Sequence, residues 1–184
     1  MGHKRILGKT IDFITGREIT DTDDERYRQK LARFLVEERG YDKGDIEVKR
    51  RLELTLEGKT VLSMVDFVVS VGGKNFMVIR YGPGSIVTRE RPSLASARLV
   101  GTYQVPVTVV TNGEDAEILD TDSGEVTGSG LESVPDKKSA LEQLSRVTFR
   151  ELSAERIEAE KRVLSAYDWL EHSLECDDDW CETE

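Results

Sequence analysis

A carboxylate in the middle of an apolar strand needs a partner, and this chain has one. Asp66 lies within residues 61–71, VLSMVDFVVSV, a run apolar on both faces. Such a run reads as a central, buried strand. A carboxylate there costs several kcal/mol unless it is paired, hydrogen-bonded or bound to a metal. Gly72-Gly73 can take the positive φ of a hairpin turn and leads into a second apolar run, residues 76–81. That run ends in Arg80, followed by Gly82-Pro83-Gly84. Side chains two apart on a strand share a face, so positions 80 and 82 point the same way. Asp66 is thus open to two chemistries. It can be a hard oxygen ligand for a divalent cation, or it can pair with a guanidinium, for which Arg80 is the expected partner.

The remaining chemistry-bearing residues are scattered. Glu25 stands in the first turn of an expected helix, where a carboxylate serves either as a ligand or as a cap, and the cap is the plainer reading. Gln29 follows one turn later. Lys49, Arg50, Arg51, Arg89, Arg91 and Arg98 could contact phosphates, but a charged strand face or loop is more often simply solvated. Glu90 follows the Gly82-Pro83-Gly84 turn and could swing back as an acid, although nothing in the spacing favours it. His3 and His172 are isolated.

The elements that must position these residues follow from periodicity. Thr22, with Glu25 three residues later, has capping-box form, and Tyr27, Leu31, Phe34 and Leu35 make an apolar stripe. A helix is expected over residues 23–39, with Gly40 as its C-terminal stop. Before it, residues 10–14 read as a short strand or loop. Residues 46–57 alternate, with Ile46, Val48, Leu52, Leu54 and Leu56 on one face and Arg50 interrupting. Three antiparallel strands are expected over 46–57, 60–71 and 75–81. Pro92 suits the first turn of a helix reaching about residue 103. A strand at 105–110 follows, expected parallel to 75–81 because a helix joins them. Asn112-Gly113 turns it into another at 116–120. Two helices close the chain, one marked by Leu141, Leu144 and Val147. Ser153 caps the other, whose stripe holds Ile157, Leu164, Tyr167, Leu170 and Leu174. Its charges Glu158, Glu160, Lys161 and Arg162 are expected to face water. Docking on the sheet is expected for this helix, with a partner-binding arm as the alternative.

The order helix, three antiparallel strands, helix, strand resembles the PD-(D/E)XK nuclease core. In that core a first-strand Asp and a second-strand acid-x-Lys gather Mg²⁺ beside the scissile phosphate. Asp66 matches the first acid; Arg80 stands in place of the second, and Gly82 in place of the lysine. More of the chain is similar to the N-terminal nuclease domain of type I restriction enzyme R subunits. The similarity runs through Asp12-Phe13-Ile14-Thr15-Gly16, Asp21-Thr22, Arg28-Gln29, Leu35-Val36, Gly40-Tyr41, Val65-Asp66-Phe67-Val68-Val69, Gly73-Lys74, Val78-Ile79, Gly82-Pro83-Gly84 and Val109-Val110-Thr111-Asn112-Gly113. These pieces cover about residues 10–125. The chain is too short for the motor that follows this domain in R subunits, and it holds no Gly-x-x-x-x-Gly-Lys-Ser/Thr loop.

The resemblance implies an α/β fold: a restriction-endonuclease-like αβββαβ core, a mixed sheet flanked by helices, plus C-terminal helices. The expected division is a nuclease-like domain over 1–135, a helical extension over 136–174 and a disordered acidic tail over 175–184. With the second acid and the lysine gone, the implied function is a divergent, inactive nuclease-like module that binds nucleic acid or protein. Lys49, Arg51, Arg89 and Arg91 are its candidate phosphate contacts. The alternatives are an active Mg²⁺-dependent DNA endonuclease with a rearranged site, in which Asp66 would hold the metal, and a structural or oligomerising protein. No cofactor is expected unless the site is active. The expected partners are DNA, or a protein or second copy held by the last helix.

Composition bounds these readings. The net charge is −10, which excludes a generic polyanion binder. Six acidic residues and no basic ones follow Leu174, leaving −4 for the rest by subtraction. No apolar run approaches the roughly 20 residues of a membrane span, and no signal peptide is visible. Cys176 and Cys181 lie in the acidic tail, where a disulfide would staple nothing. A reduced, cytoplasmic protein is expected.

Overall fold

The computed structural model describes residues 5–172. The tail, with Cys176 and Cys181, lies outside the described residues, as do the side chains of Leu170 and Leu174. Six strands form one mixed sheet in the order β3-β4-β5-β6-β7-β8. They are β3 Ile46–Leu56, β4 Lys59–Val71, β5 Lys74–Tyr81, β6 Val107–Thr111, β7 Ala116–Asp120 and β8 Val126–Ser129. Only the β5–β6 pair is parallel. That is the one pair joined through a helix, α2 Val87–Leu99, as a crossover requires. A separate hairpin of β1 Ile6–Ile11 and β2 Glu18–Thr22 precedes α1 Asp23–Glu37. Residues 10–14, read as a short strand or loop, are the end of β1 and the start of its turn. The order from α1 to β6 is the expected αβββαβ.

Helices cover both faces of the sheet. α1 supplies Leu31, Ala32 and Leu35 to one core, against Phe67, Val69, Ile79 and Val109. α3 Lys137–Leu144 adds Ala140 to that side. α2 and α4 Ala154–His172 cover the other face, with Ala95, Ala97 and Leu164 against Val65, Val68 and Val78. The small residues of α2 let it sit between the sheet and α4, with residues 92–98 all buried. Leu164 is fully buried, so α4 is docked, as expected.

Two local expectations give way. α2 starts at Val87 rather than Pro92, and Pro92 lies inside it. The earlier turn is held because Ile86 packs against Leu94, Val110 and Leu119. In β3 the apolar residues do not share one face. Ile46 and Val48 pack on the α1 side, while Leu52 and Leu54 pack on the α2–α4 side. β4 changes sides at the same level, between Val65 and Phe67. Opposite Asp66 stands Lys49, with φ +52, a left-handed residue in mid-strand. That local twist lets one continuous hairpin feed two cores.

Candidate functional site

The pairing of β4 with β5 runs from Val71↔Lys74 to Phe67↔Ile79 and stops, while β5 continues along β6 to Tyr81. Asp66 is the first residue past the stop, at a fork between the strands. Its Oδ2 accepts the Tyr81 N–H at 2.7 Å, a donor that a continuing ladder would have used. Its Oδ1 accepts from Arg28 Nε at 2.5 Å. The carboxylate is 4% exposed and has a charge partner and a backbone donor, one on each oxygen. The partner is therefore Arg28, not Arg80. The reason is the change of sides in β4, which aims Asp66 at α1. Arg80 points at α2 instead, donating to Ser96 Oγ at 3.1 Å and toward the Pro92 carbonyl.

Around Asp66 the first turns of α1 deliver a connected polar set. Thr22 caps the helix by accepting the Glu25 N–H. The Glu25 carboxylate does not turn back to the cap; it is 3% exposed and faces inward. Lys49 Nζ lies 2.9 Å from its Oε2, and Arg28 Nη1 lies 3.8 Å away. Gln29 Nε2 donates to Glu25 Oε1 and to Asp12 Oδ2, and Gln29 Oε1 accepts the Phe13 N–H. Every donor and the acceptor of that amide are thus used. Tyr81 stacks on Tyr27 and donates its hydroxyl to Asp24.

The electrostatics follow the contacts. Burial disfavours the Arg28 cation, but Asp66, helped by Glu25 and Asp24, outweighs it and raises the guanidinium pKa. Burial, with Asp24 close by, raises the Tyr81 phenol. Burial works against the Asp12 carboxylate, yet hydrogen bonds from Thr15 and Gln29 hold it below its usual value. On the α2 side burial, with the Glu90 carboxylate close by, raises Glu117. Glu90 is thus turned to β7, not back to Asp66.

The positions matched to the lost acid and lysine are both filled by cations. Arg80 occupies the first. At the second, a Cβ on Gly82 would stand 1.9 Å from Arg89 Nη1. The Arg89 guanidinium lies over Gly82 and donates to the Pro83 carbonyl. Among the described residues no group of three or more His, Cys, Asp or Glu could hold a metal ion. Mg²⁺ needs only one or two carboxylates, but Asp66 and Glu25 are already held by Arg28 and Lys49, so the residues as placed do not fit the Mg²⁺ that the nuclease resemblance implies. A dication beside Arg28 and Lys49 would meet two positive charges at close range.

The candidate phosphate contacts are dispersed rather than gathered. Lys49 serves Glu25, Arg89 covers Gly82, Arg91 reaches Glu160 on α4, and Arg51 lies on the exposed edge strand β3. Arg50 pairs with Glu47. Glu160, expected in water, is fully buried under arginines of α2 and α4. The sequence reading carries Arg28 only within the Arg28-Gln29 piece of the family resemblance and gives it no chemical role. Its spacing of three from Glu25 placed both on one helix face, which was the available signal. Among the described residues no helix is long and apolar enough to cross a membrane.

One comparison with known proteins finds a match. The family described as type I restriction enzyme R protein N terminus matches residues 23–135, more than half of the chain. No curated protein and no solved structure matches.

Proposed function

The chain belongs to the family of type I restriction enzyme R protein N termini, and we propose that this member keeps the nuclease-like fold without phosphodiester hydrolysis, as an interaction module of DNA-processing machinery. The observation that carries the reading is the Arg28–Asp66 pair, with Tyr81 N–H on the second carboxylate oxygen. Hydrolysis of the nuclease type asks that carboxylate to face a metal. Here it faces a guanidinium belonging to the chain. Glu25 is matched by Lys49 in the same way, so each of these two carboxylates carries a cation of the chain's own. A cytoplasmic setting and a nucleic-acid or protein partner belong to this proposal.

The test is a plasmid-nicking assay with Mg²⁺ and with Mn²⁺, run beside the Asp66→Ala variant. The expected result is no nicking above that of the variant, with any DNA retention weakening as salt rises. Metal-dependent nicking that Asp66→Ala abolishes would overturn the proposal. One observation favours that second reading, an active site rearranged around Lys49. This lysine is held in a left-handed conformation directly across from Asp66 and reaches the only other buried acid in contact with Arg28 among the described ion pairs. Strained residues of that kind gather at functional sites. Under that reading Lys49→Gly also abolishes nicking; under the favoured reading there is none to abolish.

A further inference from the structure

On the opposite side of the sheet, three guanidiniums meet one carboxylate. Glu160 of α4 is fully buried. Its Oε1 accepts from Arg98 Nη1 at 3.0 Å and lies 2.7 Å from Arg156 Nε. Its Oε2 has Arg91 Nη1 at 2.9 Å, off the line of a directed hydrogen bond. Arg98 alone neutralises the carboxylate. It is buried, and its Nε and Nη2 donate to the carbonyls of Thr121 and Asp122. Arg91 and Arg156 are not needed for neutrality, and they crowd Arg98. Burial first, then the positive charge of both, depresses its guanidinium against the pull of Glu160. The neighbouring acids are committed elsewhere, Asp122 to Arg150 and Glu158 to Lys161. Among the described residues Glu160 is the one ion-pair partner of Arg91 and of Arg156. Their side chains are 43% and 48% exposed, so the outer donors of both forks reach solvent.

The cluster therefore carries two positive charges in excess, on arginines anchored to a buried carboxylate. Anchoring fixes the forks before any ligand arrives, which lowers the ordering cost of binding. Planar forks of this kind match tetrahedral oxyanions with paired N–H donors. We infer that Arg91 and Arg156 form an oxyanion site, taking a phosphate group as the negative charge the cluster lacks. The phosphate chemistry is common to free phosphate and to the phosphodiester backbone, and the test separates the two.

Thermal melts of the full chain are compared in chloride and in inorganic phosphate at equal ionic strength, then in chloride with a short DNA duplex. Expected is a phosphate-specific rise of roughly 2–4 °C, as a ligand at about four times its Kd can give in a chain this size. The rise is absent in Arg91→Gln/Arg156→Gln. If the duplex protects at far lower phosphate concentration, and the same variant loses that protection, the source is the backbone; otherwise it is the free anion. The variant separates this site from a purely structural cluster. Removing excess cations should leave the melt in chloride unchanged or higher. A rise that persists in the double variant overturns the inference, and so does a wild type that melts identically in all three solutions. The single variants Arg91→Gln and Arg156→Gln carry the same test should the double variant fold poorly.

Discussion

Asp66 and Glu160 are both buried carboxylates held by arginine, yet they close their charge differently. At Asp66 each acid has its own cation, Asp66 with Arg28 and Glu25 with Lys49, and a backbone N–H serves the second Asp66 oxygen. At Glu160 the count overshoots, with three guanidiniums on one carboxylate. A site whose cations are each matched has none left over for an anion, whereas an overshooting one does. By this criterion an anion is expected at the helix–helix seam behind the sheet rather than at Asp66.

The largest effect should come from removing the centre of the overshooting cluster. Glu160→Ala leaves Arg98 buried without its counter-charge and sets three cations against one another. Losing one partner of a buried pair costs about 3–5 kcal/mol, and here the upper end is expected, roughly a 10–15 °C fall in Tm. Thermal melts check it, and a fall of only a degree or two would show that the seam is solvated. Asp66→Ala should cost somewhat less, about 3 kcal/mol, because Arg28 retains Glu25 at 3.8 Å. Asp66→Asn with Arg28→Gln should recover much of that loss by replacing charges with a neutral pair. A chemical-denaturation double-mutant cycle measures the coupling, and a coupling near zero would break the comparison.

The architecture was legible because periodicity carries it. The α1 stripe, Gly72-Gly73 and the helical link before the parallel strand all located elements that the structure contains. The partner of Asp66 was not legible, and the reason is geometric. Alternation along a regular strand sets residues 66 and 80 side by side, but β4 changes sides between Val65 and Phe67, and no residue type in VDFVV announces it. Lys49 is an ordinary strand residue until its φ of +52 is seen. Glu160 was misplaced for a related reason. Its neighbours Glu158, Lys161 and Arg162 read as a solvated face, and only the packing of α2 shows that Arg91 and Arg98 sit over it. The β1–β2 hairpin was missed because β1 is exposed and carries little alternation.

An intermediate effect is expected at the rim of the matched site. Gly113 has φ +90, and a Cβ there would stand 2.5 Å from the Tyr27 ring. That ring stacks on Tyr81, whose N–H serves Asp66. Gly113→Ala should cost about 1–3 kcal/mol through strain and overpacking. It should also weaken the Arg28–Asp66 coupling measured in the same background. If the coupling is unchanged, the aromatic stack is a spectator and the pairing at Asp66 is purely local.

The smallest effect concerns pH and touches only the matched side. Asp12 is tied to Glu25 through the Gln29 amide, and its pKa lies below the usual 3.8 despite burial. A carboxylate with a depressed folded pKa adds stability that is complete above the unfolded value. That stability is lost as pH falls through the folded one. Asp12→Asn should therefore lower Tm slightly at pH 7, by roughly 2 °C, since partial solvent screening limits the gain. The difference between wild type and variant should start to shrink below about pH 4, where the unfolded chain takes up the proton, and be lost as pH falls through the lower folded pKa. Melts from pH 3 to pH 7 read this directly. A difference that stays constant across that range would assign the loss at Asp12 to the turn it forms with Thr15, leaving its charge no part in holding Glu25 and Asp66 in place.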